Sequence, residues 1–292
     1  MNKTLIGILS GLAAASIWGG MYVVSKIVLD VIPPFALITL RLLLGGATLW
    51  LIVAFRGGMR ASRSQFWQVF GVGVIGYGIS LGFQFVGTKL STAANGSLVT
   101  SATPAFILLF AWIILRERIT PRRVGALVIS TMGVIAVIDP RSARIDPQLF
   151  LGNLSLLAAA LTWALYSVLI RLVTRRLDVL AVSLIAFLGG LPIVIPAGAI
   201  ELSVGHIGFI TAGIIGGVLF LGVIATALAM VLWNTSFAML DASVASLTFF
   251  AQPVVGTFLS WFFLKETITP LFLLGGVLIA IGLIVASRQT PT

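Results

Sequence analysis

The chain has no cysteine, one histidine and only eight acidic residues among 292. Without cysteine there is neither a disulfide framework nor a thiolate metal site. The lone His206 and the scattered acids form no cluster at ligand spacing, and no serine has a histidine base in the same stretch. No metal, no cofactor and no nucleophile–base pair is therefore expected, and the chain does not read as an enzyme. No Walker-type glycine loop occurs, so ATP is not the expected energy source. Asp30, Asp178, Glu201 and Asp241 all fall at the ends of apolar runs. A proton-coupled carrier normally keeps a carboxylate or histidine inside the membrane. Coupling through a midplane acid is accordingly expected to be weak or absent, which favours facilitated diffusion or exchange.

Charge of either sign is also scarce. Charged residues make up 9% of the chain and hydrophobic ones 59%, with a mean hydropathy of +1.17. Soluble domains carry about 25% charged residues, so this composition cannot cover a soluble globule. In lipid every backbone group must be satisfied internally, which leaves helices or closed barrels. The apolar runs are long and continuous, without the period-two alternation of barrel strands, and they predict an all-α membrane protein. A net charge of +10 would point to nucleic acid in a soluble protein. Here the bases sit in short connectors, so no nucleic-acid partner is expected, only the lipid bilayer and a small-molecule substrate.

Ten transmembrane helices are predicted near residues 5–28, 34–55, 66–88, 92–115, 122–138, 149–172, 178–200, 207–235, 241–264 and 270–286. Gly189, Gly190, Pro192 and Pro196 interrupt the seventh. Lys3 and the Ala13-Ala14-Ala15-Ser16 segment fit a signal peptide, but the apolar run continues to Val24, and a retained first helix is expected. With both termini cytoplasmic, twelve bases fall inside and five outside, with Arg41 within a helix. That asymmetry predicts cytoplasmic termini in a bacterial-type inner (plasma) membrane.

The strongest signal is self-similarity. Trp112-Ile-Ile-Leu-Arg-Glu117-Arg-Ile-Thr-Pro121 returns as Trp261-Phe-Phe-Leu-Lys-Glu266-Thr-Ile-Thr-Pro270. Pro104 matches Pro253, Trp18 matches Trp163, and Gly45-Gly46 matches Gly189-Gly190. The chain thus divides into two five-helix repeats, 1–138 and 149–286. An odd number of spans per repeat inverts one half relative to the other. The connector charges agree: four arginines follow the fourth span, whereas only Lys265 follows its copy in the ninth. Inverted repeats place a transporter's site near the midplane between the halves.

Paired five-helix halves, each carrying W-x-x-L-[RK]-E-x-I-T-P, resemble the EamA-type transporters of the drug/metabolite transporter superfamily over essentially the whole chain. The resemblance implies efflux or exchange of amino acids, other metabolites or drug-like compounds without ATP, and the family includes exporters of aromatic and other neutral amino acids. The motif itself reads as scaffold and does not carry substrate choice. A channel-like facilitator and a proton-coupled multidrug antiporter are the alternatives. No charge ring or carbonyl filter supports the channel. A monomer is expected to suffice.

Candidate substrate-contacting residues follow from helical spacing. Trp50, Trp67, Trp112 and Trp261 sit at span ends, where interfacial tryptophans belong. Trp18 and Trp163 sit mid-span. Tyr22 and Tyr166 follow them on the same helix faces, and a phenol in hydrocarbon needs a partner. Tyr77, Ser80 and Gln84 form one stripe, copied as Thr226, Ala229 and Trp233. Gly96, Thr100 and Thr103 form another, copied as Ala245, Phe249 and Gln252. These residues are expected to line a central cavity, although serine and threonine also serve to bond neighbouring helices. Pro104 and Pro253, just beyond the stripes, are candidate hinges, or sites of static curvature. Arg41, two turns into the second helix and opposite Ile185 in the other half, is a candidate carboxylate or structural partner, or a side chain that snorkels to the surface.

Overall fold

The architecture was analysed in a computed structural model, which describes residues 2–59, 61–91, 99–100, 102–138, 149–205, 207–264 and 270–287. The helices are α1 (Lys3–Leu29), α2 (Pro34–Phe55), α3 (Arg63–Leu90), α4 (Thr103–Leu115) and α5 (Pro121–Ile138) in the first half. In the second they are α6 (Phe150–Thr174), α7 (Val179–Val204), α8 (Ala212–Met239), α9 and α10 (Pro270–Ser287). Helix α9 opens as Ala242–Ala245, tightens into a 3₁₀ turn over Ser246–Phe250 and continues as Ala251–Leu264. Among the described residues there is no strand. Six helices, α1, α2, α3, α6, α7 and α8, are long and apolar enough to cross a membrane, and α4, 242–256 and 273–286 are shorter apolar helices.

Local chemistry sets the helix starts. The Asn2 side chain accepts from the Thr4 N–H at 3.1 Å, Ser62 and Gln65 form a capping box, and Asp178 and Thr211 cap α7 and α8. Proline stands in the first turn of α2, where the missing N–H is not needed. Helix α7 runs unbroken through Pro192 and Pro196, which corrects the interruption expected from the sequence. Phe70 of α3 lies close over Gly189, and Tyr77 and Leu42 over Gly190, in this segment.

Packing repeats under exchange of the halves. Helix α1 lies against α8 and α9, and its equivalent α6 lies against α3 and α4. Helix α3 lies against α7, and its equivalent α8 lies against α2. The contacts of α2 with α7 and of α5 with α10 join repeat-equivalent helices to each other. Both of these pairs are antiparallel. At the start of α2 the Phe35 N–H donates to the Glu201 carboxylate at 2.7 Å near the end of α7, and further on Thr39 Oγ1 donates to the Val194 carbonyl at 2.9 Å. At the start of α5, Arg122 Nε donates to the Val285 carbonyl at 2.6 Å near the end of α10. Segments of related sequence thus run in opposite directions on either side of a common axis.

Two departures from α geometry matter for the site. Helix α3 is π-helical over Val74–Ser80 and α8 over Phe220–Leu228. The wider turn, with its i→i+5 bonds, advances the side chains off the 3.6-residue stripe, a feature common at functional sites.

Candidate functional site

A cavity of about 450 Å³, including its mouth, lies between the halves, with walls from α1, α2, α3, α4, α6, α8 and α9. Nine of the residues chosen from the sequence line it: Trp18, Arg41, Ser80, Gln84, Thr100, Thr103, Trp163, Phe249 and Gln252. Trp18 is the hub. Its ring meets Trp163 edge-on at 5.7 Å between centroids, Trp233 at 5.3 Å and Phe249 at 6.3 Å. Its Nε1–H donates to the Ala225 carbonyl at 3.0 Å, inside the π-helical turn of α8. Met21, Leu81, Ala159, Ala160 and Met230 also line the cavity and went unpicked. Met21 was findable, since it occupies the position equivalent to Tyr166. The alanines carry no polar signal that would have marked them.

Four chosen residues do not line it. Tyr77, Tyr166, Thr226 and Trp233 are fully buried one layer behind the wall. For Tyr77 and Thr226 the physical reason lies in the π-helical turns, which rotate Tyr77 out of the Ser80–Gln84 stripe and displace Thr226 likewise. There the hydroxyls satisfy one another. Tyr77 and Tyr166 share a 2.5 Å hydrogen bond, Tyr166 donates to Asn234 Oδ1 at 3.0 Å, and Asn234 Nδ2 donates to Ser183 Oγ at 2.9 Å. Ser183 in turn donates to the Val179 carbonyl at 2.8 Å. Because Tyr166 spends its proton on Asn234, Tyr77 must be the donor within the tyrosine pair. Tyr77→Phe therefore removes only the first donor, an expected loss of about 1 kcal/mol. Asn234→Leu leaves the buried Tyr166 proton without an acceptor and removes the donor to Ser183, and is expected to cost about 2–3 kcal/mol. Thermal unfolding in detergent checks the ranking, and equal losses would contradict this direction of the chain.

Trp233 is held by an Nε1–H bond to Ser167 Oγ at 3.2 Å and stacks near Phe237 at 4.8 Å. The Tyr22 side chain, Gly96, His206 and the Trp261 side chain lie outside the described residues. Trp50, Trp67 and Trp112 are exposed at helix ends. Pro104 stands in the first turn of α4, where no backbone bond is lost, and Pro253 follows the 3₁₀ turn of α9, which accommodates the missing bond to Phe249. Both mark the place where their helix is irregular.

Arg41 does not snorkel. It has no exposure at all, and its guanidinium lies 4.9 Å from the centroid of the Phe85 ring. Nε donates to Thr226 Oγ1 at 3.0 Å and Nη2 to the Met21 sulfur at 3.4 Å.

At one end of the bundle, charges tie the halves together. Arg116 closes α4 in the left-handed region at φ 56°, and the Glu117 N–H returns to the Ala111 carbonyl at 3.1 Å. That turn aims Glu117 at the first turn of α9, where it accepts from the Ala242 N–H at 2.8 Å and the Ser243 hydroxyl at 2.8 Å. Arg123 pairs with both Glu117 and Asp241, and Arg171 does the same. Glu117 thus caps a neighbouring helix from the opposite half. Glu266 lies outside the described residues.

A family model described as the EamA-like transporter family matches residues 5–138 and again 150–288. An uncharacterized transporter of Bacillus subtilis, YoaV, is 26% identical over 97% of this chain and 96% of its own length. The aromatic amino acid exporter YddG of Ancylobacter novellus is 28% identical over 57% of this chain and 58% of its own. A solved crystal structure, 23% identical, superimposes with a TM-score of 0.81 over 96% of both chains.

Proposed function

As the chain belongs to the EamA-like transporter family, and so is a membrane transporter, we propose that it is a secondary carrier that exports neutral or aromatic amino acids and related amphipathic compounds. It works by alternating access between two inverted repeats, 1–138 and 149–286, and without ATP. Ten spans cross a bacterial-type inner membrane with both termini in the cytoplasm, and a monomer suffices. The observation that carries this reading is the cavity between the halves. Trp18, Trp163 and Phe249 supply aromatic surface, Gln84, Thr100 and Gln252 supply neutral polar groups, and no acid is among its lining residues. Such a lining suits a flat apolar body with a few polar atoms. The antiparallel α2–α7 and α5–α10 pairs support inversion, and a partial relative is an aromatic amino acid exporter.

Without an acid facing the cavity, flux is not driven by protons through this site. Uptake by proteoliposomes of a panel of amino acids and drugs, with Trp163→Ala beside the wild type, tests the proposal. Aromatic and neutral amino acids are expected to be taken up at carrier rates. Trp163→Ala is expected to lower uptake about ten-fold or more while expression persists, because the ring contributes contact area on the order of 1–2 kcal/mol to a bound aromatic. Unfolding of the variant would instead assign Trp163 to packing. Many-fold acceleration by an imposed pH gradient alone would overturn the uncoupled mechanism.

A further inference from the structure

Two buried donors on residues that line the cavity lack acceptors. Arg41 Nη1 and Trp163 Nε1 are both buried with no hydrogen-bond partner, at 0% and 8% exposure, and both residues line the cavity. A buried donor without an acceptor is costly, and a guanidinium without a counter-ion in a membrane interior is more so. Neither residue's copy in the other half shares the defect. Trp18, the copy of Trp163, donates to the Ala225 carbonyl. The surroundings of Arg41 are Met21, Thr226 and Phe85, and the repeat-equivalent positions are Tyr166, Tyr77 and Asn234, with Ile185 in place of the arginine. That second cluster is neutral and its hydroxyls and amide are bonded in series. One fold thus builds the same niche twice, once closed and satisfied, once charged and short of an acceptor. Among the described residues no carboxylate pairs with Arg41, and the salt bridges between Arg123, Arg171, Glu117 and Asp241 all lie at the Glu117 cluster.

Resting on the carrier reading above, we propose that this niche is a carboxylate site, in which Arg41 Nη1 and Trp163 Nε1 donate to the substrate's carboxylate. The substrate class is an apolar or aromatic monocarboxylate whose amino group is dispensable. A carboxylate supplies the missing acceptors and the missing counter-charge at once, whereas an ammonium would meet Arg41 as a like charge. The apolar body of the same molecule lies on Trp18 and Phe249. Met21 and Thr226 act as positioning residues: they occupy two edges of the guanidinium and leave the third toward the cavity.

The test is ligand-dependent thermal stabilisation of the purified full chain, with proteoliposome uptake of the same probes: 3-phenylpropanoate, L-phenylalanine, 3-phenylpropanamide and 2-phenylethylamine. The two carboxylates are expected to bind within a few-fold of each other and at least about ten-fold more tightly than the amide or the amine, as a charge-assisted hydrogen bond confers. Arg41→Gln is expected to abolish the preference for 3-phenylpropanoate over its amide. If that variant does not fold, Trp163→Phe decides. It removes an unpaired donor while keeping a ring, so its unfolding temperature is expected to be no lower than wild type, and the preference is expected to fall about three-fold or more. Equal binding of acid and amide, a preference untouched by Trp163→Phe, or L-phenylalanine binding ten-fold more tightly than 3-phenylpropanoate would each overturn the carboxylate site. In those cases uptake would still leave the carrier intact. Failure of all four probes to bind or be taken up would overturn the proposed substrate class together with the site.

Discussion

Glu117→Ala is expected to lower the unfolding temperature by about 5–10 °C, corresponding to about 2–4 kcal/mol. The side chain is 10% exposed and contacts three helices at once. It accepts from the Ala242 N–H at 2.8 Å, the Ser243 N–H at 3.3 Å and the Ser243 hydroxyl at 2.8 Å, so it caps the first turn of α9. It also lies 3.4 Å from Arg123 on α5 and 3.4 Å from Arg171 on α6. Alanine strands the amides of α9 and leaves two partly buried guanidinium groups with Asp241 as their one carboxylate, beside the Arg118 and Phe237 carbonyls. Glu117→Gln keeps one acceptor and the shape, and is expected to lose about half as much. Asp241→Ala makes the contrast. Its side chain is 45% exposed, so solvent screens the pairs it makes, and the expected loss is at most about 1 kcal/mol. Differential scanning fluorimetry in detergent ranks the three variants, and an Asp241→Ala loss exceeding that of Glu117→Ala would refute the cap as the dominant contact. In the carrier reading this cluster ties the halves at the cytoplasmic end, so its loss is also expected to favour opening on that side.

Gly73→Val is expected to prevent assembly of the bundle altogether. A Cβ at Gly73 would fall on the backbone carbonyl of Ala186 in α7, and one at Gly189 would fall on the carbonyl of Phe70 in α3. These obstacles are backbone on both sides, which no rotamer change can relieve, so α3 and α7 must part. Close helix contact through glycine is how membrane helices gain packing without a hydrophobic driving force. The expected cost exceeds about 4 kcal/mol, and size-exclusion chromatography is expected to show aggregate in place of a monodisperse peak. Gly46→Ala is the control. A Cβ there meets nothing within 4 Å, and alanine is expected to leave stability unchanged or raise it by up to about 1 kcal/mol. A monodisperse, stable Gly73→Val protein would mean that the α3–α7 crossing is not as close as described.

Much of the helical layout was legible because lipid leaves so few choices. The bounds of α2 coincide with the predicted 34–55, and α5, α6 and α10 begin or end within one or two residues of their predictions. The repeat was legible too, since Glu117 and its flanking tryptophan and proline recur as a motif. What that motif does was not. The sequence reads it as scaffold, but only the fold brings Glu117 to the start of α9 in the opposite half, 125 residues away. The site was partly legible: nine chosen residues line one cavity. Tyr77, Thr226 and Trp233 were misplaced by one layer because a 3.6-residue stripe cannot anticipate a π-helical turn, which arises from packing against other helices. Tyr166 lies on the regular helix α6, and only the fold brings Tyr77 and Asn234 to its hydroxyl.

The scarcity of charge and the length of the apolar runs determined by themselves that this chain is a bundle of membrane helices, because unsatisfied backbone and exposed apolar surface are each costly in the wrong solvent. The repeat determined which helices are counterparts. Tertiary structure alone decided which polar groups find partners. Two niches of common descent differ by a few side chains, and whether a donor is bonded depends on the helix opposite, not on its own sequence neighbours. Tyr77 left its place in the wall where a π-helical turn rotates it, and its hydroxyl meets Tyr166 behind. Arg41 and Trp163 kept theirs, with donors still unpaired.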